Sequence, residues 1–246
     1  LKAELHAHCS LDPVDSRICR YTAKELISAA AKHGYNVLAI TCHDRDIWTE
    51  QISEFARDLG VILIPGMEVT AERTRHVLAY NFRTVPENLN TLNKIRARSN
   101  EETLVIAAHA YFPERSCLRN LLVKNLDVFD AIEYSGFMVR GMNFNLRSAR
   151  IAKENGKPLV ANSDIHYLWQ LNRTFTWIYA EPNITSILKA IKEGLVQTQL
   201  SPLSWREAAS WWATSLWRNF MPDKSLPLDK IKNGGSFGTA KEGVEP

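Results

Sequence analysis

Apolar and polar positions follow two rhythms along this chain, one of period two and one near 3.6, and the changes of rhythm mark its elements. Residues 2–8 read as a short strand. Thr22 with Glu25 forms a capping box that opens an apolar-periodic helix to about His33, and Gly34 ends it. Residues 36–41 form a buried strand. Thr49 caps a helix through Leu59, stopped by Gly60. Strands over 61–64 (then Pro65-Gly66) and 76–80 follow. Pro86 starts a helix to about Ser99. Next come a strand over 103–108, a helix near 114–123, a strand over 128–133 and a helix over 142–154 ending at Asn155-Gly156. Strands over 158–161 and 174–179 and a helix over 184–193, stopped by Gly194, complete the pattern. Strands alternating with helices at this spacing predict an α/β fold built from βα units around a parallel sheet.

The rhythm changes again near the C-terminus. Residues 204–220 carry four of the seven tryptophans, and Trp205, Ala208, Ala209, Trp212, Ala213, Leu216, Trp217 and Phe220 follow helical spacing. This predicts an amphipathic helix packing on the main body or on a second subunit. Peripheral membrane contact is the alternative; Arg206 and Arg218, opposed by Glu207, give it little charge to work with. From about Pro222 the Gly/Pro/Glu/Lys mix reads as a flexible tail. The domain organisation expected is 1–198, a helical extension over 199–221 and a tail over 222–246.

Composition narrows the picture only modestly. A chain of 246 residues is long enough for one α/β domain with a real core. Its net charge of +3 is too small to bind nucleic acid through bulk electrostatics. Cys9, Cys19, Cys42 and Cys117 form no C-x-x-C pair, which predicts reduced thiols and a cytoplasmic setting. There is no apolar run of spanning length and no visible signal peptide. The chain begins at Leu1 rather than Met, so the native N-terminus is left open as longer.

The histidines carry the chemistry. Six of the seven stand at or beside predicted strand ends: His6, His8, His43, His76, His109 and His166. His33, in the first helix, is the exception. Side chains at i and i+2 of a strand point the same way, so His6 and His8 share a face, as do Asp164 and His166. Glu68 and Glu133 also fall at strand ends. In parallel α/β folds those ends share one rim, where active sites gather. Imidazoles and carboxylates converging there predict a polynuclear metal-dependent hydrolase. His76 starts its apolar run, and reaches the rim only if that strand runs antiparallel or loops back.

The same residues carry a family resemblance. Glu4-Leu-His-Ala-His-Cys-Ser10, Ala39-Ile-Thr-Cys-His-Asp44, Gly66-Met-Glu-Val-Thr70 with Arg75-His-Val-Leu-Ala79, Ala107-Ala-His-Ala110 and Asn162-Ser-Asp-Ile-His166 resemble, in order, the motifs of the PHP (polymerase and histidinol phosphatase) family. The resemblance covers about residues 2–195. It departs at Glu4 (usually Asp), Cys42 (usually Asp) and Ala110 (usually Pro). It implies a distorted (β/α)7 TIM-like barrel with two or three divalent metals, Zn, Mn or Fe. His6, His8, Glu68 and Asp164 would hold the first. Glu68 would bridge to a second, shared with His76 and His109. A third would use His43, His166 and Asp12, with Asp15 the alternative. Glu133 would serve behind the ligands, and Cys42 either as a zinc ligand or as a small strand-end residue.

The implied reaction is attack of metal-bridging hydroxide on a phosphomonoester or nucleotide-type phosphate. Arg17, Arg45 and Arg173 are the arginines placed by sequence to hold phosphate. Asp164 or His166, or a water, would deliver the leaving-group proton. The partner expected is a small phosphorylated substrate. An oligonucleotide phosphodiesterase, not favoured because no concentrated basic stretch appears, and a non-catalytic metal-stabilised module are the alternatives.

Overall fold

The computed structural model describes residues 1–220; the predicted tail lies outside them. Ten strands form two five-stranded sheets, ordered β10-β9-β1-β2-β3 and β4-β5-β6-β7-β8. The first holds β1 (Lys2–Glu4), β2 (Val37–Ala39), β3 (Ile62–Ile64), β9 (Phe175–Ile178) and β10 (Val196–Gln199). The second holds β4 (Gly66–Ala71), β5 (Arg75–Tyr80), β6 (Leu104–Ala107), β7 (Ala131–Ser135) and β8 (Leu159–Asn162).

The sheets are mixed, which corrects the all-parallel expectation. β1-β2-β3 and β6-β7-β8 are parallel, whereas β9 runs antiparallel to β1 and β10, and β5 antiparallel to β4 and β6. Residues 66–71, read from sequence as a segment following a strand, are themselves a strand paired with β5. Isolated bridges Ala7–Ile165 and His43–Glu68 join the two sheets at one end. Among the described residues the main ladders form two sheets, not one closed ring.

Inner faces of both sheets meet in a central core: Leu5, Val37 and Ile64 face Leu78, Tyr80, Leu104, Ile106 and Val160. The Tyr80 hydroxyl crosses this core to donate to the Leu5 carbonyl at 2.7 Å. Outside the first sheet lie α1 (Ala23–Lys32) and α2 (Glu50–Asp58). The Thr22–Glu25 capping box forms as predicted, and α1 buries Leu26, Ile27 and Ala30. Outside the second sheet are α3 (Leu92–Arg98) and α5 (Asn145–Glu154), with α6 (Ile184–Lys192) packed into the central core.

Three helices are shorter than the periodicity suggests. Pro86 opens only a 3-10 turn, and Thr91 caps α3 afresh. The helix expected near 114–123 contracts to α4 (Asn120–Lys124), and α5 starts at Asn145 rather than 142. Among the residues released from the last two, Glu114, Ser116 and Phe144 line the cavity at the rim.

The last described helix, α7 (Trp205–Phe220), is capped by Ser204, whose hydroxyl accepts from Glu207 N–H. It docks through Ala208 against Val139 and Leu203, and through Trp211 against Phe137. Of the stripe read from spacing, Ala208 is buried while Trp205, Ala209 and Ala213 are exposed; the side chains of Trp212, Leu216, Trp217 and Phe220 lie outside the described residues. None of the described helices is long and apolar enough to cross a membrane.

Candidate metal centre

The rim predicted from strand ends exists. Glu4, His6 and His8 alternate along the first strand and its extension, and all are buried. His43 follows β2, His109 follows β6, and Asp164 and His166 follow β8. Glu68 lies within β4. His76 arrives through the antiparallel hairpin, opposite Thr70 in the β4–β5 register. That pairing meets the first of the two conditions under which His76 reaches the others, an antiparallel strand.

Glu68 is the hub. Its Oε1 lies 2.7 Å from His76 Nδ1 and 3.0 Å from His109 Nε2. Its Oε2 lies 3.1 Å from His6 Nε2, 3.3 Å from His43 Nε2 and 3.4 Å from His8 Nε2. Asp164 Oδ1 stands across from it, 3.4 Å from His6 Nε2 and 3.3 Å from His8 Nε2.

Asp12, the ligand the resemblance implies, and its alternative Asp15 both stand beside His43. Asp12 Oδ1 accepts from the backbone of Val14 and Asp15, both at 2.8 Å. Its Oδ2 accepts from His43 N–H at 2.8 Å and meets His8 Nδ1 at 2.7 Å. Oδ2 also lies 3.0 Å from His43 Nδ1, so Asp12 both holds a turn and stands among the groups that could hold an ion. Asp15 instead lines the cavity, with Oδ2 at 3.0 Å from His166 Nε2 and 3.6 Å from His43 Nδ1.

Glu133 also stands behind the ring. It meets His6 Nδ1 at 2.8 Å and accepts from Asn162 Nδ2 at 3.0 Å and from His109 N–H at 2.7 Å. Cys117 Sγ lies 3.6 Å from His109 Nδ1, a contact that no motif or spacing predicts. Cys42 faces Cys9, sulfur to sulfur at 3.6 Å. That contact and burial push the Cys42 thiol upward, so it stays protonated, and it joins none of the metal-holding groups among the described residues.

The backbone bends sharply here. Asp44, His109 and Asp164 all have positive φ (47°, 24° and 52°), a conformation that non-glycine residues adopt at a cost. Asp44 uses its bend to accept from Thr70 N–H at 2.7 Å, tying β4 to the end of β2.

Electrostatics fit a cation. Burial disfavours charge on Glu68, yet His76, His6 and His43 hold it well below the ordinary carboxylate range. Burial likewise opposes protonation of His6, but Asp164, Glu133 and Glu68 raise it well above the usual imidazole value. His166 is raised to about 9, with Asp164 and Asp15 outweighing burial. Ionised carboxylates thus demand positive charge from the imidazoles. Two buried atoms, His8 Nε2 and Asp164 Oδ1, have no hydrogen-bond partner at all. Orphaned donors of this kind at 3.3 Å across a His/carboxylate ring suit a divalent ion. Groups able to hold one include His6–His8–Glu68, His6–His109–Asp164, His8–Asp164–His166, His43–Glu68–His76 and His8–Asp12–Asp15–His43.

The ring opens into a cavity of about 400 Å³. None of Arg17, Arg45 and Arg173 is among its lining residues. Arg45 donates to the Leu11 carbonyl, and Arg173 is ion-paired with Glu207 of α7. The lining that sequence reasoning missed is Phe112, Phe137, Phe144, Tyr167 and Trp211, aromatics on loops and on α7 with no periodic signal. His33 is exposed at the end of α1, away from the ring.

Comparison with known proteins bears on the fold. A family model described as PHP_C, PHP-associated, matches residues 143–196. No curated protein matches the chain by sequence. Among solved structures, the fold is similar to a two-domain protein from Bacteroides vulgatus ATCC 8482 that contains a predicted PHP-like metal-dependent phosphoesterase (16% identity, TM-score 0.57), covering 82% of this chain. This chain spans 65% of that protein's length. It is also similar to PsfC from Pseudomonas syringae PB-5123 (14% identity, TM-score 0.54), with 89% and 97% of the two chains covered.

Proposed function

We infer from the chain's membership of the PHP family, which the match over residues 143–196 and the fold support, that it is a metal-dependent phosphoesterase acting on a small phosphomonoester. The observation that carries this reading is the facing pair of partnerless buried atoms, His8 Nε2 and Asp164 Oδ1, inside a ring of five further histidines and Glu68. In this reading His6, His8, Glu68 and Asp164 hold one divalent ion, and Glu68, His76 and His109 a second. Asp15, His43 and His166 hold a third. Zn, Mn and Fe all suit such mixed donors. Such ions lower the pKa of water toward neutrality and neutralise phosphate charge.

The remaining work falls to the protein. Asp12 and Glu133 fix the imidazoles so that their outer nitrogens face inward. Tyr167 lines the cavity and its hydroxyl has no partner, which supports a role in donating to a phosphate oxygen. Ser116 and Ser135 add neutral donors. Arg173, engaged by Glu207, serves to dock α7 in this reading rather than to hold substrate. A nucleic-acid groove would be basic, and no Lys or Arg lines the cavity among the described residues, which favours a monoester over an oligonucleotide.

The test is metal analysis of the purified protein, followed by assays with Mn or Zn on an aryl phosphate, an aryl phosphodiester and a panel of small phosphate esters. Turnover of monoesters above diesters is expected. Loss of metal and turnover in His8→Ala but not in His33→Ala is expected as well. A protein fully loaded with metal that cleaves no phosphoester overturns the reading.

A further inference from the structure

A file of aromatic rings leads away from the metal ring. His109 and Phe112 have ring centroids 6.4 Å apart, Phe112 and Phe144 5.4 Å, Phe112 and Phe137 6.2 Å, and Phe137 and Trp211 4.4 Å. The four apolar rings all line the cavity. They come from three separate places: the loop after β6, the segment between β7 and α5, and α7. Phe112 is nearly covered, but Phe137, Phe144 and Trp211 are only half-buried.

These rings are more than the glue for α7. That helix has its own packing core in Ala208, Val139 and Leu203, and its own ion pair in Glu207–Arg173. All four rings also line the cavity, and three of them stay partly exposed. Charge points the same way: among the described lining residues no Lys or Arg occurs, and Glu114 adds a carboxylate beyond the ring. A second anionic group on a substrate would meet no counter-charge there, and a ring would meet three others.

Resting on the phosphoesterase reading, we propose that the site selects a phosphomonoester whose organic part is an uncharged planar ring, seated against Phe137, Phe144 and Trp211. The ring could come from a simple aryl group or from a nucleobase. Aromatic contacts of this kind favour a ring by about three- to tenfold each.

Two measurements on the metal-loaded protein test this. The first is calorimetric binding of benzylphosphonate, methylphosphonate and 4-carboxybenzylphosphonate, with Trp fluorescence followed alongside. Benzylphosphonate should bind at least threefold more tightly than methylphosphonate, and the added carboxylate should erase that gain. Equal affinities overturn the proposal. The second is kcat/KM for benzyl phosphate, uridine 5′-monophosphate and ethyl phosphate. Preference for either ring-bearing ester over ethyl phosphate supports the proposal, and which one leads identifies the source of the ring. The benzyl-to-ethyl ratio should fall three- to tenfold in Trp211→Leu and in Phe137→Leu. An unchanged ratio in both, with circular dichroism showing both folded, overturns the proposal. Absence of turnover on every ester would sink the phosphoesterase reading alone, because the phosphonate binding order still decides the ring.

Discussion

Glu133 shows how much of the centre rests on residues that face away from it. One carboxylate holds the His6 ring, the His109 backbone and the Asn162 amide. Glu133→Gln turns one acceptor into a donor facing one of those partners. Metal affinity is expected to fall about 10- to 100-fold while the fold survives, read by competition with a chromogenic chelator. Asp12 and Asp15 form a sharper pair. Asp15→Asn should remove an ion from metal analysis, whereas Asp12→Asn should weaken binding of all ions by loosening His8 and His43 together. Equal stoichiometric loss in both variants would contradict the division drawn between them. Five of the six histidines were legible from residue type and strand-end position; His76 starts its strand and rested on the family resemblance. Which of two aspartates three residues apart faces the cavity was not, since a tight turn with Asp12 accepting its own N–H groups decides it. The aromatic lining was equally invisible, because its loop residues carry no period and Trp211 falls off the periodic stripe of its helix.

At the scale of elements, the β4–β5 hairpin delivers both Glu68 and His76, and its start is tightly packed. A Cβ added to Gly66 would stand 2.8 Å from Tyr80 Cδ1, and Tyr80 is fully buried with its hydroxyl bound across the core. That ring has nowhere to swing. Gly66→Ala is expected to destabilise the protein by about 1–3 kcal/mol, measured as a lowered urea midpoint with unchanged slope. The capping box of α1 offers a gentler test: Thr22→Ala should cost about 1 kcal/mol. Most helices and parallel strands could be read from caps, glycine stops and periodicity. β4 escaped because it begins directly after Pro65, where a turn reads more naturally than a strand. β10 escaped because Val196–Gln199 is a half-exposed edge strand of mostly polar residues, with no apolar face to announce it.

For the molecule as a whole, the centre lies where two sheets that share a core are also bridged at the rim, by Ala7–Ile165 and His43–Glu68. Ions held from both sides should therefore act as a clasp. Saturation at a thousandfold excess over Kd is expected to add about 4 kcal/mol, seen as a rise in Tm that a chelator reverses. An unshifted Tm after metal removal would mean the sheets hold together without help. Sequence motifs spread along the whole chain revealed that distant residues converge. They could not reveal that the ladders divide into two sheets, because β-pairing partners are set by global packing.

The separation of the ligands also has a consequence in time. Asp15 and His166, 3.0 Å apart in space, are 151 residues apart in the chain. At ordinary rates of synthesis, about 5–20 residues per second, the first waits about 8–30 s for the second to be made. During that interval His6, His8 and His43, with Cys9 and Cys42 beside them, form an incomplete donor set that a soft, tightly bound ion could capture. If the centre holds ions as proposed, the ion a newly made molecule receives thus depends on which donors emerge first as well as on the finished ligand set.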